Sequence, residues 1–456
     1  MSSQEQVPVT AILAAFVANV ESKDLTPTII ERIKEFLLDY LGVTVAASHG
    51  WESTPEILKA IHALGAKSGS STAVLQGRAY LPQYAGLLNA TFGHSMDFDD
   101  TYAPGSLHPG VCAFAASLTQ AELQNASTEQ FMLAAAVGYE VICRIGRELG
   151  NEAYARGFHN TATAGIFGAV AAISVLKRLP APVIEHAFGL ALSKAAGSMQ
   201  YLENGSWNKR LHPGFAVHDA FTSVALAEAG VVGAARSIEG KFGLLHAYSP
   251  KEPDLKYLTA DLGTRWEFLE TALKPYAACR MTHGVIEQGS RISSSFKSGV
   301  QKLTVSLSPA NFLVVGNPTP NKIHPKNVVD AQFSIYFQLA HAWLHGSAHG
   351  VEFASRLDDP KIHELADKID VVTDPEVKAF GSKLKVRFED GREDEVDIPF
   401  PLGEPQHPFS RELVEEKYTA LVAPSLGREK AQELKDVVDN LEKHTVVELL
   451  SLVSGS

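Results

Sequence analysis

Four short segments hold the residues best suited to chemistry. The first is Gly93-His94-Ser95-Met96-Asp97-Phe98-Asp99-Asp100-Thr101, followed after a Pro104-Gly105 turn by Leu107-His108-Pro109-Gly110. Three carboxylates within four residues repel one another, so a fold tolerates them only in water, around a cation, or paired with donors and bases. The stretch directly follows an apolar helix and leads back to a histidine before the next one. It can therefore set carboxylate, hydroxyl and imidazole around one pocket, the competing reading being a solvated helix end. The second segment, Gly157-Phe158-His159-Asn160-Thr161, places His159 at the start of a small-residue helix, where free N–H groups and the helix dipole favour an anion. Taken alone, His159 reads more readily as a structural cap.

The third segment, Asn208-Lys209-Arg210-Leu211-His212-Pro213-Gly214, puts three potentially cationic side chains into four residues, framed by Trp207 and Phe215. Charge clusters usually form solvated faces, but aromatic framing points to a partly buried anion clamp. The fourth, Tyr276-Ala277-Ala278-Cys279-Arg280-Met281-Thr282-His283, falls where the helical texture gives way. Arg280 and His283 suit a cleft at a domain junction and equally suit interdomain packing.

The elements that must position these groups are mostly helices. Thr26-Pro27 starts an amphipathic helix with Ile29, Ile30, Ile33, Phe36, Leu37, Tyr40 and Leu41 at 3.6-residue spacing. Residues 162–176, 187–197 and 215–230 are rich in Ala, Gly, Ser and Val, as expected of helices packed against several neighbours. Near residue 265 the pattern changes. Leu303, Val305 and Leu307 alternate with polar residues, Ile369, Val371 and Thr373 share a face, and Asp390-Gly391 joins two strand-like runs at 383–388 and 393–398. Residues 328–345 between them read as one helix. The expectation is a mainly α protein, with a large all-helical domain over 1–267 and 403–456 and an inserted, smaller α/β lid domain over 268–402.

Composition narrows the functions. A formal net charge of -12 argues against a nucleic-acid partner. It also repels polyanions, so a local cation cluster is needed to bind one. A cation about 4 Å from a carboxylate contributes roughly 4 kcal/mol of gross attraction at an effective dielectric near 20. Three widely spaced cysteines support neither a disulfide framework nor a zinc site. No apolar run is expected to reach membrane-spanning length, and Met1–Gln6 lacks the basic stretch of a leader, so no membrane partner and a cytoplasmic location are expected. The chain has no Walker loop, dinucleotide fingerprint, Gly-x-Ser-x-Gly elbow or His-Glu-x-x-His pair. The expectation is therefore chemistry by side chains, with no cofactor and no metal.

Taken in order, His94-Ser95-Met96-Asp97-Phe98-Asp99-Asp100-Thr101, Gly157-Phe158-His159, Lys209-Arg210-Leu211-His212-Pro213-Gly214 and Thr282-His283 resemble the successive signatures of the MmgE/PrpD family. The resemblance spans nearly the whole chain. It implies a helical domain with an α/β lid, a homodimer, and action on a small polycarboxylate: decarboxylation of cis-aconitate, dehydration of 2-methylcitrate or epimerisation of a dicarboxylate. Carried over residue by residue, it implies a site of Asp97, Thr101, His108, His159, Lys209 and His283, with Arg210, His212 and Tyr336 binding substrate. In this reading Lys209 and Arg210 hold carboxylates, His108 and His159 move protons, Asp97 orients an imidazole and Thr101 bonds substrate. Two departures stand out: the loop between Thr101 and His108 is one residue longer than in animal decarboxylases, and the family's lid tyrosine falls on Phe337, next to Tyr336. Decarboxylation of cis-aconitate or an alkyl analogue to an itaconate-type product is the leading reading. The other classes are a magnesium-dependent isoprenoid-type synthase, whose second metal motif the chain lacks, and a non-catalytic metabolite-binding homologue.

Overall fold

The long N-terminal helix begins as its residue types dictate. Thr26 Oγ1 accepts a hydrogen bond from the Ile29 N–H, Pro27 takes the first helical position, and the helix Pro27–Ser48 buries Ile29, Ile33, Phe36, Leu37, Tyr40 and Leu41. The structure is a computed structural model that describes residues 7–295, 299–346, 351–378 and 380–455. Met1–Gln6, the stretch examined for a leader, lies outside the described residues.

The chain forms two units, the first comprising Met1–Met199, Asn208–Thr271 and Leu421–Ser456 and the second Gln200–Trp207 and Ala272–Ala420. The first is helical among its described residues, apart from a short hairpin pairing Ser71–Ala73 with Gly77–Tyr80. At its centre Gly165–Lys177 packs against Thr128–Ala155, Gly110–Leu123 and Asn208–Glu228, which is why its residues are small on every side. The expectation that no run reaches spanning length is corrected here. Asn160–Lys177 is long and apolar enough by count, but 89% of it is buried inside the protein, so its apolar surface is used in the core. Cys112, Cys143 and Cys279 are buried thiols outside any disulfide.

The second unit is built on a four-stranded sheet in the order Ile369–Thr373, Val300–Leu307, Ser382–Phe388, Glu393–Ile398. The first pair is parallel and the other two antiparallel. Leu303, Val305 and Leu307 point inward as their alternation requires, and Gly391, at φ +85°, makes the hairpin turn. One helix was expected over 328–345, but two form, Val328–Gln332 and Ile335–His345. Ser334 breaks the run because its hydroxyl accepts from the Phe337 N–H and so caps a new helix. The second unit also continues to Ala420, beyond the sequence-based limit at 402, because Arg280 ties the following loop to it through Glu404 and the Leu402 carbonyl.

Candidate active site

Two helices of the first unit create the site by approaching closely. On Asn208–Glu228, a Cβ at Gly214 would lie 2.3 Å from Thr91 Oγ1 and 2.8 Å from the Leu87 carbonyl of Pro82–Ser95, so only glycine permits the contact. Lys209 therefore comes from the first turn of a helix and not from a preceding loop, as the sequence suggested. Its Nζ reaches the end of the neighbouring helix, 2.7 Å from Asp97 Oδ1 and 3.1 Å from His94 Nε2. There the chain turns sharply at Asp97, which takes the left-handed φ of +50° just past the helix end, a position where Gly or Asn is usual.

The three adjacent carboxylates are tolerated because each has a different environment. Asp97 pairs with Lys209. Asp99 faces imidazoles: its Oδ2 lies 2.8 Å from His94 Nδ1 and 3.2 Å from His108 Nδ1. Burial alone would push the Asp99 carboxyl up, but the two imidazoles hold it well below the usual carboxylate range. Asp100 accepts from the Gly110 N–H at 3.0 Å and the Tyr139 hydroxyl at 2.6 Å, and burial pushes it up to about 8.

Four histidines gather here. Ring centroids lie 4.6 Å apart for His94 and His108, 5.5 Å for His94 and His159, and 5.1 Å for His159 and His212. Burial and the nearby Lys209 charge, against the pull of Asp99, bring His94 down to about 3. Burial and Lys209 bring His212 down to about 4. His159 lies well below its ordinary value through burial, His212 and Lys209. These three rings are neutral at physiological pH. The cap reading of His159 is corrected: its side chain makes no capping bond, and its Nδ1 lies 3.0 Å from Nδ1 of His212. One of those two nitrogens must carry the hydrogen, so the rings hold opposite tautomers.

Donor atoms of His94, His108 and His159, and of Asp97, Asp99 and His108, lie within 4.8 Å of one another. These groups do not fit a resident metal, because both nitrogens of His94 are engaged and the Lys209 ammonium occupies the cation's place beside Asp97.

The remaining expected residues have varied settings. Thr101 is buried, and its hydroxyl has no hydrogen-bond partner among the described residues. Arg210 is turned to Glu52, 2.5 Å away, and to the Trp51 ring, so its charge is matched locally. Trp51, and not the exposed Phe215, supplies the aromatic cover. His283 and Tyr336 belong to the second unit. His283 Nδ1 accepts from Arg280 and its Nε2 meets the Ala278 carbonyl at 3.0 Å, while the Tyr336 hydroxyl donates to the Gly316 carbonyl. Phe337 is fully buried beside His341 and His363. In the sequence His94 and Asp99 stand out only as members of a motif, and the family resemblance gives Asp97 the task of orienting an imidazole. In the structure Asp99 meets the two imidazoles at 2.8 and 3.2 Å, while Asp97 pairs with the lysine and lies 3.7 Å from His108 Nε2. The five-residue spacing of His94 and Asp99 across a helix end was the one signal in the sequence.

Two family models match this chain, one over each part. The MmgE/PrpD N-terminal domain matches residues 11–256 and the MmgE/PrpD C-terminal domain matches residues 276–443. The chain belongs to the MmgE/PrpD family. Among its relatives, a cis-aconitate decarboxylase-like protein of Aspergillus oryzae is 27% identical, covering 98% of this chain and 97% of that protein. A cis-aconitate decarboxylase of Aspergillus terreus is 25% identical over 98% of this chain and 96% of its own length, and that of Homo sapiens is 26% identical over 95% and 92%.

Proposed function

We propose that this chain is a lyase whose own side chains suffice for the chemistry, and that it decarboxylates cis-aconitate or an alkyl-substituted analogue to an itaconate-type product. The observation that carries this reading is the Lys209 ammonium, buried between Asp97 and His94 and surrounded by neutral imidazoles. In such a setting a cation attracts a substrate carboxylate far more strongly than in water, which offsets the repulsion from a net charge of -12. The full-length similarity to cis-aconitate decarboxylases supports the choice of substrate.

The reaction needs little from the protein. When the carboxylate on the saturated CH₂ leaves as carbon dioxide, its bonding pair forms the new terminal double bond. The original double-bond pair moves to the carbon beside the outer carboxylate, and that carbon takes one proton. Lys209 stabilises the charge that builds on this outer carboxylate. His108, whose Nδ1 faces Asp99 at 3.2 Å and whose Nε2 faces Asp97 at 3.7 Å, supplies the proton. Thr101 offers its hydroxyl to substrate, and the leaving carboxylate loses water on entering the site. The test is incubation with cis-aconitate and, separately, 2-methylcitrate. Carbon dioxide and new vinylidene proton signals from the first support the proposal. Their absence, with unsaturated-acid absorbance appearing from the second, overturns it in favour of dehydration.

A further inference from the structure

Asp99 is where the imidazoles converge, yet the steps above give neither it nor His94 a part. Its Oδ2 lies 2.8 Å from Nδ1 of His94. An ionised carboxylate only accepts, so that nitrogen carries the hydrogen. A neutral imidazole has a single N–H, which leaves Nε2 with its lone pair, facing Lys209 Nζ at 3.1 Å. An ammonium only donates. The two contacts thus demand the same tautomer, and both side chains are buried away from water that could take over either bond. In the line Asp99, His94, Lys209, Asp97, each of the three contacts joins one donor to one acceptor.

Resting on the lyase reading above, we infer that Asp99 and His94 are positioning residues that act through Lys209, committing one of its N–H groups to His94 and so fixing the ammonium's direction toward a bound carboxylate. Asp97 takes another N–H, so two contacts from the end of one helix set the direction of a flexible side chain from another. The same Asp99 oxygen, 3.2 Å from His108 Nδ1, links that direction to the ring that moves the proton. Burial and Lys209 bring His94 down to about 3, so the ring stays neutral and keeps this arrangement at neutral pH.

The test has two arms. In wild-type protein with ¹⁵N-labelled imidazoles and no substrate, His94 shows a protonated Nδ1 and an unprotonated Nε2; a protonated Nε2 overturns the inference. This arm does not depend on which acid the enzyme takes, so a failed lyase reading leaves it decisive. On a turned-over substrate, His94→Phe keeps bulk but offers Lys209 no acceptor, and kcat falls about a hundredfold, as for a misplacement near 1 Å, with KM little changed. His94→Gln places an acceptor near the former Nε2 and recovers about tenfold, the worth of one hydrogen bond. Equal activity in the two variants, or near-wild-type kcat in His94→Phe, overturns the inference.

Discussion

Lys209→Met removes an ammonium 2.7 Å from Asp97 Oδ1 and 3.1 Å from His94 Nε2 while keeping most of the side chain's bulk. At an effective dielectric near 20, unit charges at that shorter distance attract by about 6 kcal/mol gross. The net loss is smaller, since breaking a buried pair from one side costs about 3–5 kcal/mol. The lower end applies here, because Asp97 keeps a weaker attraction to the Arg210 charge, which is itself paired with Glu52. In Asp97→Asn/Lys209→Met the stranded carboxylate is gone, and asparagine accepts the left-handed φ of +50° as readily as aspartate. Thermal melting and carbon dioxide release from cis-aconitate separate the two effects. The single variant melts lower and loses about 10²–10³-fold in rate, the usual cost of removing a charge-stabilising donor. The double variant regains most of the melting temperature and none of the rate. A single variant that melts like wild type, or a double variant that recovers activity, would refute the electrostatic reasoning.

Acidification should weaken the helical unit. His94 and His212 have folded values near 3 and 4 and His159 lies well below normal, so the unfolded chain binds more protons as pH falls below about 6.5. The His94 and His212 terms are fully present well above that pH and each costs about 2 kcal/mol at pH 5, and His159 acts in the same direction. Asp100, raised to about 8, acts in the opposite sense and offsets about one of them. Denaturant titrations at pH 7 and 5 should show a net loss, which His212→Asn reduces; a flat profile contradicts the buried-neutral assignment. Gly214→Ala forces a methyl into Thr91 and the Leu87 carbonyl, so stability should drop by about 1–3 kcal/mol and kcat should drop with it as Lys209 shifts. Unchanged kinetics would show that this helix contact does not position the lysine. The homodimer implied by family resemblance is checked by sedimentation, which should give twice the monomer mass.

The parts legible in the sequence were those decided locally. Thr26-Pro27 announces a helix start because the cap and the proline act within one turn, and Asp390-Gly391 announces a hairpin because positive φ is a property of the residue itself. Ser334 was misread inside an apolar run, since its capping role depends on whether the hydroxyl turns back to the Phe337 N–H. At the site, local sequence marked the carboxylates, the lysine and His108. Which carboxylate meets which base was not legible, because Lys209 joins Asp97 across 112 positions and Arg210 joins Glu52 across 158. Those pairings follow from the close packing at Gly214 and the reversal at Asp97, and neither has a short-range signature.

The most direct test follows cis-aconitate labelled with ¹³C at the carboxylate on its saturated CH₂, incubated with the purified protein in deuterated water. The account predicts labelled carbon dioxide and one deuteron at the carbon beside the outer carboxylate of an itaconate-type product. Loss of carbon dioxide from a different carboxylate, or no release at all, would contradict it.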